Sequence, residues 1–261
     1  MDAWSPITEL DAIGCGDCRN GQSFAIDFSM AFQPIVDVET GRAFAYEALC
    51  RGSNNEPAIS VLRQITNQNR YAFDQNCRVK AIRTAIQAGL LDTDAKLSIN
   101  FLPTAVYSVK ACIALTLRTA KETGFPLDRL IFEFTENERM SAPEHVNAII
   151  RHYKRIGFKV AIDDFGAGHA GLGLLARFVP DMVKIDMDLI RGLDRDGRRR
   201  AIVTSLARLC EELETTVIAE GVETPEEAAL LRDMGVRYMQ GYYFAKPAFE
   251  ALPEIRMPAF A

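Results

Sequence analysis

The stretch Val160-Ala161-Ile162-Asp163-Asp164-Phe165-Gly166-Ala167-Gly168 decides how this chain is interpreted. Its apolar run has the form of a buried strand, which ends in two adjacent carboxylates and then breaks at two glycines. Neighbouring strand residues point to opposite sides, so both Asp side chains can serve one site only where the strand bends. Gly166 and Gly168 permit such a bend. Taken alone, the stretch is compatible with a metal site and equally with a polar turn after a core strand.

Length and composition narrow the classes of protein. A chain of 261 residues fits one large α/β barrel or two modest domains. The net charge of −5 argues against a binder of nucleic-acid polymers. No apolar stretch approaches a membrane span, and the start of the chain lacks a cationic signal region, so we expect a cytoplasmic protein. We expect residues 1–28 to form a leader segment and residues 29–261 one barrel domain.

Cysteine and histidine usage indicates that any metal is bound through oxygen. The six cysteines are too scattered for a disulfide framework, and we expect Cys50, Cys77, Cys112 and Cys210 to be packing residues. The Cys15-x-x-Cys18 pair is compatible with half a zinc site, a redox pair or no function. The three histidines include no pair at helical ligand spacing, which disfavours a histidine-based centre.

Apolar runs alternate with segments of helical spacing, as in repeated βα units. The residues between the first two runs, centred on Glu39-Thr40-Gly41-Arg42, are too few for a parallel crossover and predict a hairpin. The fold class predicted is therefore α/β, a (β/α)8 TIM-like barrel with one antiparallel strand. The eight predicted strands are Ala31–Asp37, Phe44–Arg51, Lys96–Pro103, Arg129–Glu136, Lys159–Gly166, Met182–Leu189, Thr215–Glu223 and Tyr238–Phe244.

Helical spacing predicts two helices between the second and third strands and one after most later strands. Thr224-Pro225-Glu226-Glu227 is a typical helix start, with a capping residue, a proline and an acidic first turn. The run Arg198-Arg199-Arg200 fits a solvated helix face or a patch for an acidic partner. The later helices are predicted at Thr104–Thr123, Ala142–Ile156, Leu172–Phe178, Arg199–Glu214 and Pro225–Met234.

Charged and amide side chains recur near the carboxyl ends of the predicted strands. Desolvating one unpaired carboxylate costs several kcal/mol, whereas barrel closure would gather these groups around one mouth. Carboxylates accompanied by amide oxygen and no imidazole suit Mg²⁺ or Mn²⁺, and the Asp doublet suits two such ions. Lys184 fits a role in holding water or offsetting negative charge, or a plain salt bridge. The residues are Glu47, Asn100, Glu133, Glu136, Asp163, Asp164, Lys184, Asp186, Glu220, Glu223 and Gln240.

These residues lie in seven motifs whose order and spacing resemble the EAL-domain cyclic di-GMP phosphodiesterases, above all the EAL halves of blue-light-sensing bacterial enzymes. Each motif alone is weak, but seven in order from Phe28 to Pro247 are specific. They stand as Tyr46-Glu47-Ala48-Leu49-Cys50-Arg51, Asn100-Phe101-Leu102-Pro103, Phe132-Glu133-Phe134-Thr135-Glu136, Ile162-Asp163-Asp164-Phe165-Gly166, Val183-Lys184-Ile185-Asp186, Ala219-Glu220-Gly221-Val222-Glu223 and Gln240-Gly241-Tyr242-Tyr243-Phe244.

The resemblance implies a role for each of these positions. It implies that two ions of Mg²⁺ or Mn²⁺ are held by Glu47, Asn100, Glu133, Asp163, Asp164 and Glu220. It assigns catalysis to Lys184, Glu220 and Glu47, with Lys184 positioning or activating water. Arg51, Leu49, Gln240 and Asp186 would contact the substrate, Arg51 through its forked guanidinium. Glu136 and Glu223 would support the loop after Asp164.

The chain departs mildly from the family pattern in two places. His169-Ala170-Gly171 stands where relatives often have a tyrosine and two serines, which puts regulation in more doubt than chemistry. Asn55 replaces a frequent glycine, a change compatible with a left-handed turn. The resemblance also favours a homodimer through the helix after the Asp doublet, where Leu172, Leu174, Leu175 and Phe178 are either interface or core.

The function expected is hydrolysis of cyclic di-GMP to linear pGpG. One alternative is a catalytically silent cyclic di-GMP receptor or protein-interaction module, although none of the expected ligands is missing from the sequence. A barrel glycosidase is a second alternative, but it would leave the Asp doublet, Asn100 and Lys184 without a role.

Overall fold

The computed structural model of the chain describes residues 24–103, 106, 109–135, 143–168 and 171–257. The predictions for Cys15, Cys18, Glu136, His169 and Ala170 lie outside these residues. Most of the leader segment does so as well, and its boundary at residue 28 stays a prediction.

Eight strands close into the predicted barrel. The hydrogen-bonded order is β2-β3-β4-β5-β6-β7-β8-β1, and the pairing of β1 with β2 closes the ring. The pairings from β2 to β8 are parallel, whereas β1 is antiparallel to both neighbours, which confirms the single reversed strand. The strands are β1 (Phe28–Asp37), β2 (Arg42–Gly52), β3 (Lys96–Asn100), β4 (Leu130–Thr135), β5 (Lys159–Phe165), β6 (Met182–Ile185), β7 (Thr216–Ala219) and β8 (Tyr238–Met239).

A ninth strand, β9 (Ala248–Phe249), was not predicted from the sequence. It pairs with Ala31 and Phe32 of β1, because the two residues of β8 cover only the far end of β1 at Val36 and Asp37. The ninth strand therefore covers an edge that barrel closure leaves open.

The helices pack around the outside of the barrel and follow the predicted order. Thr224 is the N-cap of the last helix, as predicted, and it also forms a capping box with Glu227. The helices are α1 (Ala58–Leu62), α2 (Arg70–Gln87), α3 (Val109–Thr123), α4 (Pro143–Ile156), α5 (Gly171–Leu175), α6 (Met187–Ile190), α7 (Gly197–Glu212) and α8 (Pro225–Asp233). Short 3₁₀ turns lie at Leu90–Asp92 and Leu127–Arg129.

Several strands end earlier than their apolar runs suggest. The prediction of β6 up to Leu189 was wrong, because the Asp186 side chain accepts from the Asp188 amide and starts the helical turn α6. β7 stops at Ala219 before Gly221, which has a positive φ of 67°. The early ends leave polar residues on the loops at the barrel mouth, where functional groups of this fold are found.

A small apolar layer fills the barrel interior on the side away from the mouth. Its buried members come from six different strands and separate the mouth from the opposite end of the barrel: Ile35, Ala45, Ile131, Ala161, Met182 and Ile218. Two larger apolar clusters lie between the strands and the surrounding helices. The barrel is consequently a packed core whose chemistry is confined to one end.

Other expectations from the sequence have clear outcomes. Asn55 adopts the left-handed conformation, with φ of 67°. Cys77, Cys112 and Cys210 are buried and Cys50 is half-buried, all with free thiols. Within the described part of the chain, no helix is both long and apolar enough to cross a membrane.

Candidate metal centre at the barrel mouth

The strand register brings four of the predicted carboxylates to one level of the barrel interior. Glu47 on β2 lies beside Ser98 of β3, and Asn100 at the end of β3 lies beside Glu133 of β4. Asp163 of β5 lies beside Thr135 at the end of β4. Glu220 follows the last residue of β7, and its amide donates to the Ile185 carbonyl of β6. Regular alternation along the strands explains why these side chains point inward.

Asp164 reaches the same site by an irregularity of the backbone. Strict alternation would turn Asp164 away from the barrel interior, since Asp163 points inward. Its φ of 51° is in the left-handed region, and the pairing of β5 with β6 shifts register between Ile162 and Phe165. Gly166, with φ of 98°, continues the bend. The positive φ therefore begins on Asp164 itself, two residues before the first glycine.

Lys184 lies at the centre of the carboxylates. Its side chain is fully buried, and its Nζ lies 2.8 Å from Asp163 and Glu220, 3.1 Å from Glu133 and 3.2 Å from Glu47. An ammonium has three protons to donate, so it cannot satisfy four carboxylates with full hydrogen bonds. One positive charge is thus left facing an excess of negative charge.

The excess of negative charge and the burial of the site raise the pKa of several of its side chains. Burial and the neighbouring Glu47 and Asp163 raise the pKa of Glu133 to about 8, with partial compensation from Lys184. Burial and Asp163 likewise raise the pKa of Asp164 to about 6, and burial raises that of Glu220. Burial alone would lower the pKa of Lys184, but the surrounding carboxylates outweigh it and hold that pKa well above its usual value. Lys184 is therefore an ammonium throughout the neutral range.

The donor set fits divalent cations. Glu47, Glu133 and Asp163 each offer one oxygen within 4.8 Å of the others, and Asp163, Asp164 and Glu220 form a second such triad. The two triads share Asp163, as expected for a ligand between two ions. Among the residues that the structure describes, none hydrogen-bonds the buried Oε1 atom of Glu133, which leaves it available as a ligand. An all-oxygen set suits Mg²⁺, Mn²⁺ or Ca²⁺ better than softer metals.

Amide side chains hold Glu47 from both sides. Asn100 donates from Nδ2 to Glu47 Oε1 over 3.0 Å, and Gln240 donates from Nε2 to Glu47 Oε2 over 2.8 Å. Gln33, on the antiparallel strand β1, lies opposite Glu47 in the ladder and accepts from Gln240. Asn100 and Gln240 thus lie at the site where the sequence placed them, in contact with the first triad.

The remaining predicted residues lie around the rim. Leu49 and Arg51 line a cavity of about 310 Å³ that also reaches Asn100. Asp186 is buried at the start of α6, and its charge contributes to the raised pKa of Asp164. Glu223 pairs with Arg191 at 2.6 Å on the half-exposed surface beside α6. These positions surround the carboxylates without joining either triad.

Two residues of the site were missed from the sequence. Gln33 is a polar residue within a strand whose ten positions are all buried, and that contrast is a usable signal. Ser98 is fully buried two residues before Asn100 and lies beside Glu47 in the ladder between β2 and β3. A period of two from Asn100 would have placed Ser98 on the same inner face.

Comparison with known proteins decides the family. The sequence matches the EAL domain over residues 22–247, which is most of the chain. The chain belongs to the EAL-domain family. The match spans both triads, Lys184 and the amides around Glu47, so the family resemblance and the barrel seen in the structure agree.

Similar EAL proteins include one with a regulatory name and two solved with ligands. The antirepressor BluF of Escherichia coli K12, regulated by blue light and temperature, is 35% identical over 98% of this chain, which spans 63% of its length. A standalone versatile EAL protein of Vibrio cholerae O395, solved with cyclic di-GMP bound, is 50% identical with a TM-score of 0.86, covering 90% of this chain and 98% of that protein. BlrP1 of Klebsiella pneumoniae, solved with manganese and cyclic di-GMP, is 34% identical with a TM-score of 0.83, covering 90% and 60%.

Proposed function

We propose that this EAL domain hydrolyses one phosphodiester bond of cyclic di-GMP and releases linear pGpG. The observation that carries the proposal is the pair of carboxylate triads that share Asp163 beside a buried ammonium. A receptor needs only to bind its ligand, whereas this concentration of unpaired negative charge is useful for holding cations that act on a phosphate. The similar proteins solved with cyclic di-GMP support the choice of substrate.

In this proposal, Glu47, Asn100, Glu133 and Asp163 hold the first cation, and Asp163, Asp164 and Glu220 hold the second. Two bound Mg²⁺ or Mn²⁺ ions would supply a nucleophilic hydroxide near neutral pH and polarise the phosphoryl group. Manganese in a similar structure supports this assignment of the metal.

The position of Lys184 suits two roles. With its Nζ 2.8–3.2 Å from four carboxylates, it is placed to donate a hydrogen bond to the attacking water and to offset developing negative charge. Arg51 at the rim provides a planar fork that suits a phosphate, with Leu49 packing beside the bound nucleotide.

A rival function is that of a cyclic di-GMP receptor or interaction module without catalysis. The observation in its favour is the similarity to BluF, which is named an antirepressor. The complete set of carboxylates favours hydrolysis instead, because a module that only recruits a partner gains nothing from a cluster of buried charges that destabilises the metal-free barrel.

A hydrolysis assay separates the two functions. Purified protein is incubated with cyclic di-GMP and Mn²⁺, with and without a chelator, and linear pGpG is measured by chromatography. We expect turnover that the chelator abolishes and that Glu47→Ala removes, whereas Arg195→Ala, a change at a side chain 85% exposed, retains it. Binding of cyclic di-GMP by the metal-loaded protein without any pGpG would support the receptor.

We also propose that the domain acts in the cytoplasm as a homodimer. Fewer apolar side chains on and just after helix α5 are available for a dimer contact than the sequence indicated. Leu174, Leu175 and Phe178 are buried in the chain's own core. Leu172, 62% exposed, remains as the apolar contact. Sedimentation of Leu172→Glu against the unmodified chain tests this point, with a shift towards monomer expected.

A further inference from the structure

A buried ion pair lies outside the barrel, behind the strands that carry Asn100 and Glu133. Asp74 and Arg78 are one turn apart on α2, with side chains almost fully buried and Nη2 to Oδ2 2.7 Å apart. Pairs of this kind contribute little stability compared with apolar residues of similar volume. The contacts that Asp74 and Arg78 make are therefore a better guide to the role of the pair than its contribution to stability.

Asp74 holds the chain where it leaves β3. Its Oδ1 accepts from the Leu102 amide over 2.9 Å, two residues beyond Asn100. The last pair of the ladder between β3 and β4 is Asn100 with Glu133, so Leu102 lies just beyond the sheet. Gln75 also donates to Asp74 over 3.3 Å, which fixes the carboxylate from a second side.

Arg78 holds the outer faces of both strands. Its guanidinium lies 5.5 Å from the ring centre of Phe101 and 5.2 Å from that of Phe132, and it donates to the Tyr153 hydroxyl over 2.9 Å. Phe101 follows Asn100, and Phe132 precedes Glu133. Neighbouring side chains on a strand point to opposite sides, so Arg78 contacts the outer face at the level where these two inner groups project.

The two strand ends are also tied to each other, since the Phe101 amide donates to the Glu133 carbonyl over 2.9 Å. A shift of the backbone at Phe101 or Leu102 would consequently move both Asn100 and Glu133. Metal ligands must be held within about 0.5 Å of a working geometry. The outer contacts of Asp74 and Arg78 act on the backbone that sets this geometry.

We propose that Asp74, fixed by Arg78, is a positioning residue for the metal centre and sets the placement of Asn100 and Glu133 from outside the barrel. The proposal rests on the proposed function, because it takes these two side chains as metal ligands. Removal of supporting contacts around metal ligands typically lowers metal affinity by about 10–100-fold.

The test compares two double variants that both lack the buried charges. Asp74→Asn/Arg78→Met keeps a side-chain oxygen for the Leu102 amide, whereas Asp74→Leu/Arg78→Met has similar volume and no acceptor. Mn²⁺ affinity is measured by calorimetry on metal-stripped protein, and thermal unfolding is recorded for each variant. If the Leu-containing variant does not fold, Asp74→Ala/Arg78→Met takes its place.

A matched control lies at the opposite end of the barrel. Asp37 ends β1 and is bonded by both arms of the Arg237 guanidinium, at 2.9 and 2.6 Å. Asp37→Leu/Arg237→Met makes the same chemical change far from the mouth. It should lower the unfolding temperature and leave Mn²⁺ affinity unchanged.

We expect Mn²⁺ affinity to fall by about tenfold or more in the variant without an acceptor and to fall less in the variant with Asn, which keeps the acceptor but lacks Arg78. Saturating Mn²⁺ should restore turnover, which a loss of fold would not allow. Equal Mn²⁺ affinity in all variants would overturn this inference alone and make the pair merely structural. Failure of the unmodified chain to bind Mn²⁺ would overturn the proposed function as well.

Discussion

Replacement of Lys184 by methionine tests how strongly the barrel mouth depends on this ammonium to compensate the charge of its carboxylates. The change removes one ammonium from among four carboxylates that lie 2.8–3.2 Å from it and leaves the side-chain volume nearly the same. Each contact corresponds to about 5 kcal/mol of Coulomb attraction at an effective dielectric constant of about 20. Removal of one partner from a buried pair costs less in practice, about 3–5 kcal/mol.

The cost should lie at the lower end of that range. Glu133, with a pKa of about 8, and Asp164, with a pKa of about 6, can take up protons instead of remaining as unpaired ions. A loss of about 3 kcal/mol corresponds to a decrease of about 6–12 °C in unfolding temperature for a domain of this size. Bound cations replace the missing charge, so Mn²⁺ should raise the unfolding temperature of Lys184→Met more than that of the unmodified protein.

The assay is thermal unfolding of metal-stripped protein with increasing Mn²⁺, followed by the hydrolysis assay. Lys159→Met is the matched control, because Lys159 pairs with Asp181 at 3.3 Å but is 45% exposed, and such pairs contribute about 0–1 kcal/mol. Turnover should disappear in Lys184→Met and persist in the control. If metal-free Lys184→Met unfolds at the temperature of the unmodified chain, the reasoning about charge compensation is wrong.

Three further predictions concern other parts of the chain. Gly241→Ala should destabilise the mouth and abolish turnover, because an added Cβ would lie 2.0 Å from a backbone oxygen, whereas Gly197→Ala meets no atom within 4 Å and should be tolerated in urea unfolding. Asp37→Asn should lower the unfolding free energy by about 1 kcal/mol at pH 7, because its partner Arg237 is 42% exposed; since that guanidinium holds the pKa of Asp37 below 3.8, the difference should vanish in urea titrations as the pH falls below that pKa. Cys50 should react with iodoacetamide before Cys210 in peptide mapping, since a neighbouring thiol lowers the pKa of Cys50 while burial raises that of Cys210 to about 11; equal rates would contradict this.

The sequence predicts the barrel well because its evidence is repetitive. Eight apolar runs and one short hairpin define the closed sheet, and each run coincides with a strand in the structure. The ninth strand was missed because it depends on a contact between distant parts of the chain. β9 forms because it covers β1, and two residues carry no periodic signal of their own.

The residues of the candidate site also divide into those that a local pattern predicts and those that depend on contacts between distant parts of the chain. Side chains on regular strands, such as Glu133, could be placed from alternation alone. The Asp74 and Arg78 pair could not be recognised, because a charged pair one turn apart on a helix normally indicates an exposed face. Its burial against Phe101 and Phe132 depends on how α2 packs on the barrel, which no local pattern encodes.

The two adjacent aspartates differ in how firmly the fold holds them. Asp163 belongs to the ladder with β4 and is buried, so its position depends on the barrel itself. Asp164 reaches the mouth only through its positive φ, a conformation that costs a non-glycine residue about 1 kcal/mol and that leads directly into Gly166, whose φ is 98°. A backbone change at Asp164 would therefore alter the triad of Asp163, Asp164 and Glu220 while the triad of Glu47, Glu133 and Asp163 stays in place. Loss of the second triad would remove one of the two proposed cations, so hydrolysis that needs both ions would depend on the backbone conformation of Asp164.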